Sequence, residues 1–229
     1  MSTRLAIDDQ SHLTEMREPA PAQPAVLKLF ASLISYIFHP LFIPLYVVCF
    51  LVYIQPYLYS GMDSRGKLII IAQAFVAYTF FPLITVLLLK GLRFIDSIFL
   101  KTQRDRIIPF VASMFFYFWA WYVRLNLPET PHELLYFSLG VFVVSILGLM
   151  ANIYMKVSMH AMAMGVASTF IMLMSFSQDI SFTVYVSIAL VLTGFVCTAR
   201  LIVSDHTSRE IYMGLFIGVI SQLAAYYIA

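Results

Sequence analysis

His206 and Glu210 stand four residues apart in ARLIVSDHTSREIYMGLFIG, the stretch from Ala199 to Gly218, and Arg200 lies six residues ahead of the histidine. On a helix that begins by residue 206, positions i and i+4 share a face. A carboxylate there accepts a hydrogen bond from one imidazole nitrogen and leaves the other as a base or a nucleophile. Arginine suits bidentate contact with a phosphate. A second histidine, His160, follows Ser158 at the opening of another apolar run, where the N–H groups of a helix N-terminus favour an anion. Lys101 and Arg106, in KTQRDRIIP, add positive charge. Two histidines, one acid and several cations fit phosphoryl transfer without a metal, since a metal cage needs more ligands at tighter spacing. No cofactor is expected.

The chain that must position these groups is strongly apolar. Of its 229 residues 61% are hydrophobic and 11% charged, against about 25% charged in an ordinary soluble domain. That balance excludes a water-soluble globule. Long apolar runs also exclude a β-barrel, whose short strands alternate. The expected fold is all-α, a polytopic transmembrane helical bundle of six to seven spans. Seven runs qualify, roughly 26–54, 68–90, 107–124, 133–155, 159–177, 181–203 and 208–228. The first contains FHPLFIP and should kink at Pro40 and Pro44. The third is short enough to be tilted or partly re-entrant. Residues 1–24 are polar and end in a Pro/Ala stretch. They lack the basic start and short apolar core of a cleavable signal, and predict a disordered tail ahead of a single transmembrane domain, 25–229. The net charge of +2 is not gathered into a basic tail, so no nucleic-acid partner is expected. Cys49 and Cys197 sit in apolar runs and read as small buried residues.

Span parity brings the polar stretches together. Two spans separate residues 101–109 from 156–160, and two more separate His160 from His206, so all three stretches reach one membrane face. Ionisable groups at membrane depth are costly and mark function or a pathway. The same face carries most of the lysines and arginines, which favours the cytoplasmic side. Simpler roles stay open for some of these residues. Lys101, Arg104 and Arg106 also read as a topology-setting loop, Lys156 as a snorkelling anchor, and His39 as an interhelical hydrogen-bonding residue.

Together these residues resemble the type-2 phosphatidic acid phosphatase superfamily of membrane lipid phosphatases, whose motifs are Lys-x6-Arg-Pro, Pro-Ser-Gly-His and Ser-Arg-x5-His-x3-Asp. Arg200, His206 and Glu210 reproduce the third spacing, with Ala199 for Ser and Glu210 for Asp, and Gly214 follows four residues on. Ser158 and His160 match the second, with Val157 and Met159 in place of Pro and Gly. Lys101 and Pro109 match the first, with Ile108 where Arg is expected and Arg106 two residues away. The resemblance covers residues 101–214. It implies a phosphohistidine mechanism in which His206 attacks phosphorus, Glu210 orients it and His160 protonates the leaving group. Lys101, Arg106, Arg200 and Ser158 would hold the phosphoryl oxygens. The implied partners are membrane lipids, and the implied substrate is a phosphatidate-like lipid or a polyprenyl phosphate or diphosphate. The expected location is the bacterial inner (plasma) membrane. The departures in the first two motifs keep a second reading open: a protein of the same fold that binds or transports lipid phosphate without turning it over.

Overall fold

The computed structural model describes residues 23–55, 57–95, 97–100, 102–177, 181–203 and 206–229, and the backbone of two strands, Thr3–Ile7 and Leu13–Arg17. Among the described residues, six helices are long and apolar enough to cross a membrane. The chain is an integral membrane protein, and its membrane domain is an all-α polytopic bundle.

The helices are α1 (Ala25–Ile37), α2 (Ile43–Cys49), α3 (Ser64–Phe75), α4 (Phe81–Gly91), α5 (Gln103–Leu125), α6 (His132–Tyr154), α7 (Met159–Ser177), α8 (Thr183–Val203) and α9 (Ser208–Ile228). A π-helical turn, Val76–Phe80, joins α3 to α4 into one 28-residue span, Ser64–Gly91. A second, Phe50–Ile54, prolongs α2. From α6 onward the helices coincide with the apolar runs to within two residues. There, uninterrupted hydropathy alone decides where a helix leaves the bilayer. In α7, 61% of the most apolar window is buried, against 17% in α8. So α7 lies at the centre of the bundle and α8 on its lipid-facing rim.

The first run departs from expectation. A single kinked span was expected over 26–54, but the chain breaks completely between α1 and α2. His39 precedes a proline, which disfavours helical backbone, and Pro40 has no N–H with which to continue the ladder. Pro44 then falls in the first turn of α2, where the missing N–H would be unpaired in any case. Side chains brace the break. Thr79, within the π-turn, donates its hydroxyl to Leu41 O at 2.8 Å, and Tyr46 donates to Ile37 O at 2.9 Å. α1 packs along α8. Phe50, beyond α2, meets Phe182 and Tyr185 at the opposite end of α8, with ring centroids 6.4 and 5.2 Å away.

The third span also differs. It is a full 23-residue helix, neither short nor re-entrant. Its charged opening, which reads as loop, is wound into the first turn of α5. Thr102 caps that turn by accepting Asp105 N–H at 3.1 Å. At the same end, Gln103 and Asn152 exchange two bonds of 2.9 Å, each side-chain amide donating to the other's carbonyl. This ties the start of α5 to the end of α6.

The closest packing is between α7 and α9. A Cβ added to Gly165 would lie 2.5 Å from Leu215 O, and one on Gly214 would lie 2.7 Å from Ser158 O. Gly214 and Gly218 form a G-x-x-x-G face on α9 against Ala161 and Gly165 of α7. Such faces let helix backbones touch in a bilayer.

In the N-terminal segment, expected to be disordered, the two strands pair antiparallel, with Thr3 opposite Arg17 and Ile7 opposite Leu13. A lone two-stranded ribbon is marginal in water, so the helical domain carries the fold.

Candidate functional site

The α7–α9 contact sets the site. Because the backbones touch there, Ser158 N–H, just ahead of α7, donates to Glu210 O at 3.2 Å. The second and third polar stretches are thereby joined main chain to main chain. The first stretch arrives through Arg106, which is 4% exposed in the first turn of α5. Its Nη1 donates to Val157 O at 2.8 Å and its Nε to Leu100 O at 2.9 Å. Leu100 holds a left-handed backbone, φ 48°, unfavourable for a branched side chain. The Arg106 bond secures that turn.

His206 is 4% exposed. It lies ahead of α9, not on its face: the helix begins at Ser208 and Thr207 is the N-cap. The pair with Glu210 is therefore made across a capping box. Thr207 Oγ1 accepts Glu210 N–H at 3.3 Å, and Glu210 Oε2 accepts Thr207 N–H at 3.0 Å. The same Oε2 accepts from His206 Nδ1 at 3.0 Å. A carboxylate can only accept here, so Nδ1 carries the proton and Nε2 presents a lone pair. Glutamate is the residue type a capping box takes at this position. Burial pushes the His206 imidazole below its ordinary range. The Glu210 hydrogen bond and charge pull it back up, while Arg106 and Arg200 push it further down.

Arg200, in the last turn of α8, acts electrostatically on His39, His160 and His206. His160 is 9% exposed in the first turn of α7. Its Nε2 lies 3.1 Å from Ser35 O, and since a carbonyl only accepts, Nε2 bears the hydrogen. Ser158 is fully buried, and its hydroxyl accepts Ala161 N–H at 3.4 Å. That hydroxyl serves the N-terminus of α7.

Of the residues expected to act on phosphate, the fold thus gathers Arg106, Ser158, His160, Arg200, His206 and Glu210 at one end of the bundle. Lys101 lies outside the described residues. Arg106 differs from its expected role, because two of its donors hold carbonyls and only the rest of its fork remains for an anion. No metal-binding group of three or more His, Cys, Asp or Glu occurs among the described residues. Comparison with protein-family models, with curated proteins and with solved structures finds no match for this chain.

Two features escaped sequence reading. The T-x-x-E signature of the capping box, Thr207 to Glu210, was there to be read. His39 and Ser35 were not marked as site residues. The signal was a histidine before a proline inside an apolar run, a place where a helix breaks and leaves a polar side chain at membrane depth.

The double role of Arg106 gives a stability prediction. Arg106→Ala orphans two buried carbonyls and should cost on the order of 3 kcal/mol. Arg106→Lys, which can satisfy one, should lose about half of that. Thermal unfolding in detergent measures both.

Proposed function

We propose that the chain is an integral membrane lipid phosphatase that hydrolyses a phosphomonoester or diphosphate of a lipid or polyprenyl substrate through a phosphohistidine. One observation carries the reading. A buried histidine, oriented by a carboxylate so that Nε2 is open, shares its surroundings with a second histidine and two arginines from three other parts of the chain. Nucleophile, orienting acid, leaving-group acid and cations are the parts this chemistry needs.

In the first step His206 Nε2 attacks phosphorus and the bond from phosphorus to the lipid oxygen breaks. The leaving oxygen takes a proton from Nδ1 of a His160 that enters the step doubly protonated, because Nε2–H stays engaged by Ser35 O. Glu210 steadies the His206 Nδ1–H as positive charge grows on that ring. In the second step water attacks phosphorus and gives its proton to His160 Nδ1. The P–N bond breaks, and its electron pair returns to His206 Nε2. Arg200 and the remaining Arg106 donors face the charge on the equatorial oxygens. A groove of about 240 Å³ lies between α8 and α9, lined by Thr193, Gly194, Cys197, Leu201, Ile211 and Tyr212 among others. Its mostly apolar lining suits a hydrocarbon chain. The resemblance supports a bacterial inner (plasma) membrane location.

The test is phosphate release by the detergent-purified protein from phosphatidate, polyprenyl phosphate and polyprenyl diphosphate, with EDTA present. Release that survives EDTA supports the reading. Binding of these lipids that Arg200→Ala weakens, with no release from any, replaces it with a protein that holds lipid phosphate without turnover.

The environment of His206 predicts the pH profile. The nucleophile must be neutral, and its pKa lies below the ordinary histidine value. Activity should therefore persist as pH falls through 6.5, the ordinary histidine value, and decline only at more acidic pH. Stability follows the same sign. The contribution of neutral His206 is full above the unfolded-state pKa and is lost as pH falls toward the lowered folded value. A kcat/KM profile whose acid limb breaks at ordinary histidine pH would exclude His206 as the titrating nucleophile.

A further inference from the structure

The last turn of α1 carries a hydroxyl that no motif includes. Ser35 is 6% exposed, and among the described residues its Oγ is buried with no hydrogen-bond partner. We propose that Ser35 is a substrate-binding residue whose hydroxyl donates to a non-bridging oxygen of the bound phosphate. The proposal deepens the phosphatase reading and rests on it for where that phosphate lies.

A serine in an apolar helix ordinarily donates its hydroxyl to the carbonyl one turn back, since hydrocarbon offers no other acceptor. Ser138, Ser168, Thr193 and Ser221 all do so, with bonds of 2.7–2.8 Å to the residue four positions earlier. Ser35 does not. A buried hydroxyl without a partner is costly. Where one stands in a site, a ligand that supplies the missing acceptor accounts for it.

The end of α1 puts this hydroxyl in the site. A helix finishes with carbonyls that have no partner in the helix itself. Here Ile37 O takes the Tyr46 hydroxyl at 2.9 Å, and Ser35 O takes the Nε2–H of His160 at 3.1 Å. Oγ belongs to the same residue, so it stands close to the His160 ring. Ala31 and Ser35 are the buried residues of α1, and α1 packs along α8, whose last turn carries Arg200. Arg200 and His206 both act electrostatically on His160. Ser35 therefore joins the two histidines and the arginine. Its tie to His160 runs through a backbone atom, which a change of side chain leaves in place.

The donors define the ligand. A hydroxyl beside an arginine and a histidine N–H suits an anion whose oxygens only accept, and a phosphate accepts from several donors at once. A neutral hydroxyl adds a hydrogen bond without adding charge. A lipid phosphate and free inorganic phosphate present the same non-bridging oxygens, so both should use Ser35.

Two variants test this in the detergent-purified full chain. Ser35→Ala removes the hydroxyl; Ser35→Cys keeps the shape with a much weaker donor. Calorimetry gives the Kd for inorganic phosphate and for phosphatidate, and thermal unfolding is followed without ligand. Both variants should bind both ligands about tenfold more weakly than wild type, as expected for one hydrogen bond to a charged group. Ligand-free Ser35→Ala should melt at or slightly above wild type, because an unpaired hydroxyl is lost and alanine is the better helix former. Wild-type affinity for both ligands in Ser35→Ala overturns the proposal. So does wild-type affinity in Ser35→Cys, which would make shape and not donation the cause. Weakening of phosphatidate alone overturns it too, since the contact would then lie on the lipid and not on the phosphate. A ligand-free Ser35→Ala that melts well below wild type overturns it by showing a structural role. If the wild-type chain binds both ligands but releases no phosphate, only the phosphatase reading falls; if it binds neither, both fall.

Discussion

Alanine at His206 should reduce phosphate release from lipid phosphates by at least about 10³-fold in kcat while leaving the protein folded. The two halves of this expectation have separate causes. Loss of the imidazole removes the atom that attacks phosphorus, and no other site group can replace it. His160, held through Nε2 on Ser35 O, must carry its Nδ1 proton to the leaving oxygen and has no lone pair to attack with while it does so, and both arginines are cations without a lone pair. The fold survives because Glu210 keeps its other hydrogen bond. Oε2 still accepts Thr207 N–H at 3.0 Å, and Thr207 Oγ1 still accepts Glu210 N–H, so α9 begins as before. The variant should melt within a few degrees of wild type. With labelled substrate, the wild-type chain should carry acid-labile phosphate after rapid quenching and His206→Ala should carry none. Release by His206→Ala at the wild-type rate would sink the nucleophile assignment.

Glu210→Gln sharpens the same experiment. Glutamine can also close a capping box, so the helix start is preserved while the negative charge beside His206 is lost. The imidazole is then held less firmly and its positive charge is no longer met in the transition state. Activity should fall between the wild-type and His206→Ala values. A capping glutamate that also aligns a histidine ties the start of a helix to the direction of a lone pair. This explains why a short connection can carry a group that must be placed accurately.

Much of this arrangement is legible in the sequence, for a definite reason. The limits of α6 to α9 follow from hydropathy, because charge and polar backbone cannot remain in hydrocarbon. Once the spans are placed, parity alone brings Arg106, His160 and His206 to one end. The His206–Glu210 spacing is legible too, although its geometry is that of a cap and not of one helix face. Three features are not legible because they depend on partners distant in sequence. Arg106 could not be seen to hold Val157 O, which lies two helices away. The extent of the break at His39 is decided by Thr79 and by what α2 packs against, and prolines in the sequence mark only its position. The start of α5 was hidden by its own charges, which read as loop because nothing local shows Asp105 and Arg106 to be buried.

Replacement of Gly218 by leucine should have the largest structural effect, and it tests how the site is assembled. A Cβ at Gly218 would meet Met162 O and stand 2.9 Å from Gly165 Cα. These are backbone obstacles, which cannot rotate away as a side chain tip can. The helices must separate, and overpacking of this kind costs about 1–3 kcal/mol or more. Ser158, just ahead of α7, and Glu210, in the first turn of α9, move with these two helices, so separation stretches the 3.2 Å bond between Ser158 N–H and Glu210 O. It also pulls His160 from His206. Gly218→Leu should therefore lower the melting temperature by many degrees and remove activity together with stability, unlike His206→Ala, which removes activity alone. Gly218→Ala should show the same effect in milder form. Gly194→Ala is the matched control, since a Cβ there meets nothing within 4 Å. It should melt at or slightly above the wild-type temperature, as expected for alanine replacing glycine in a helix. Equal destabilisation by Gly218→Ala and Gly194→Ala would mean that close α7–α9 approach is not what holds the site together.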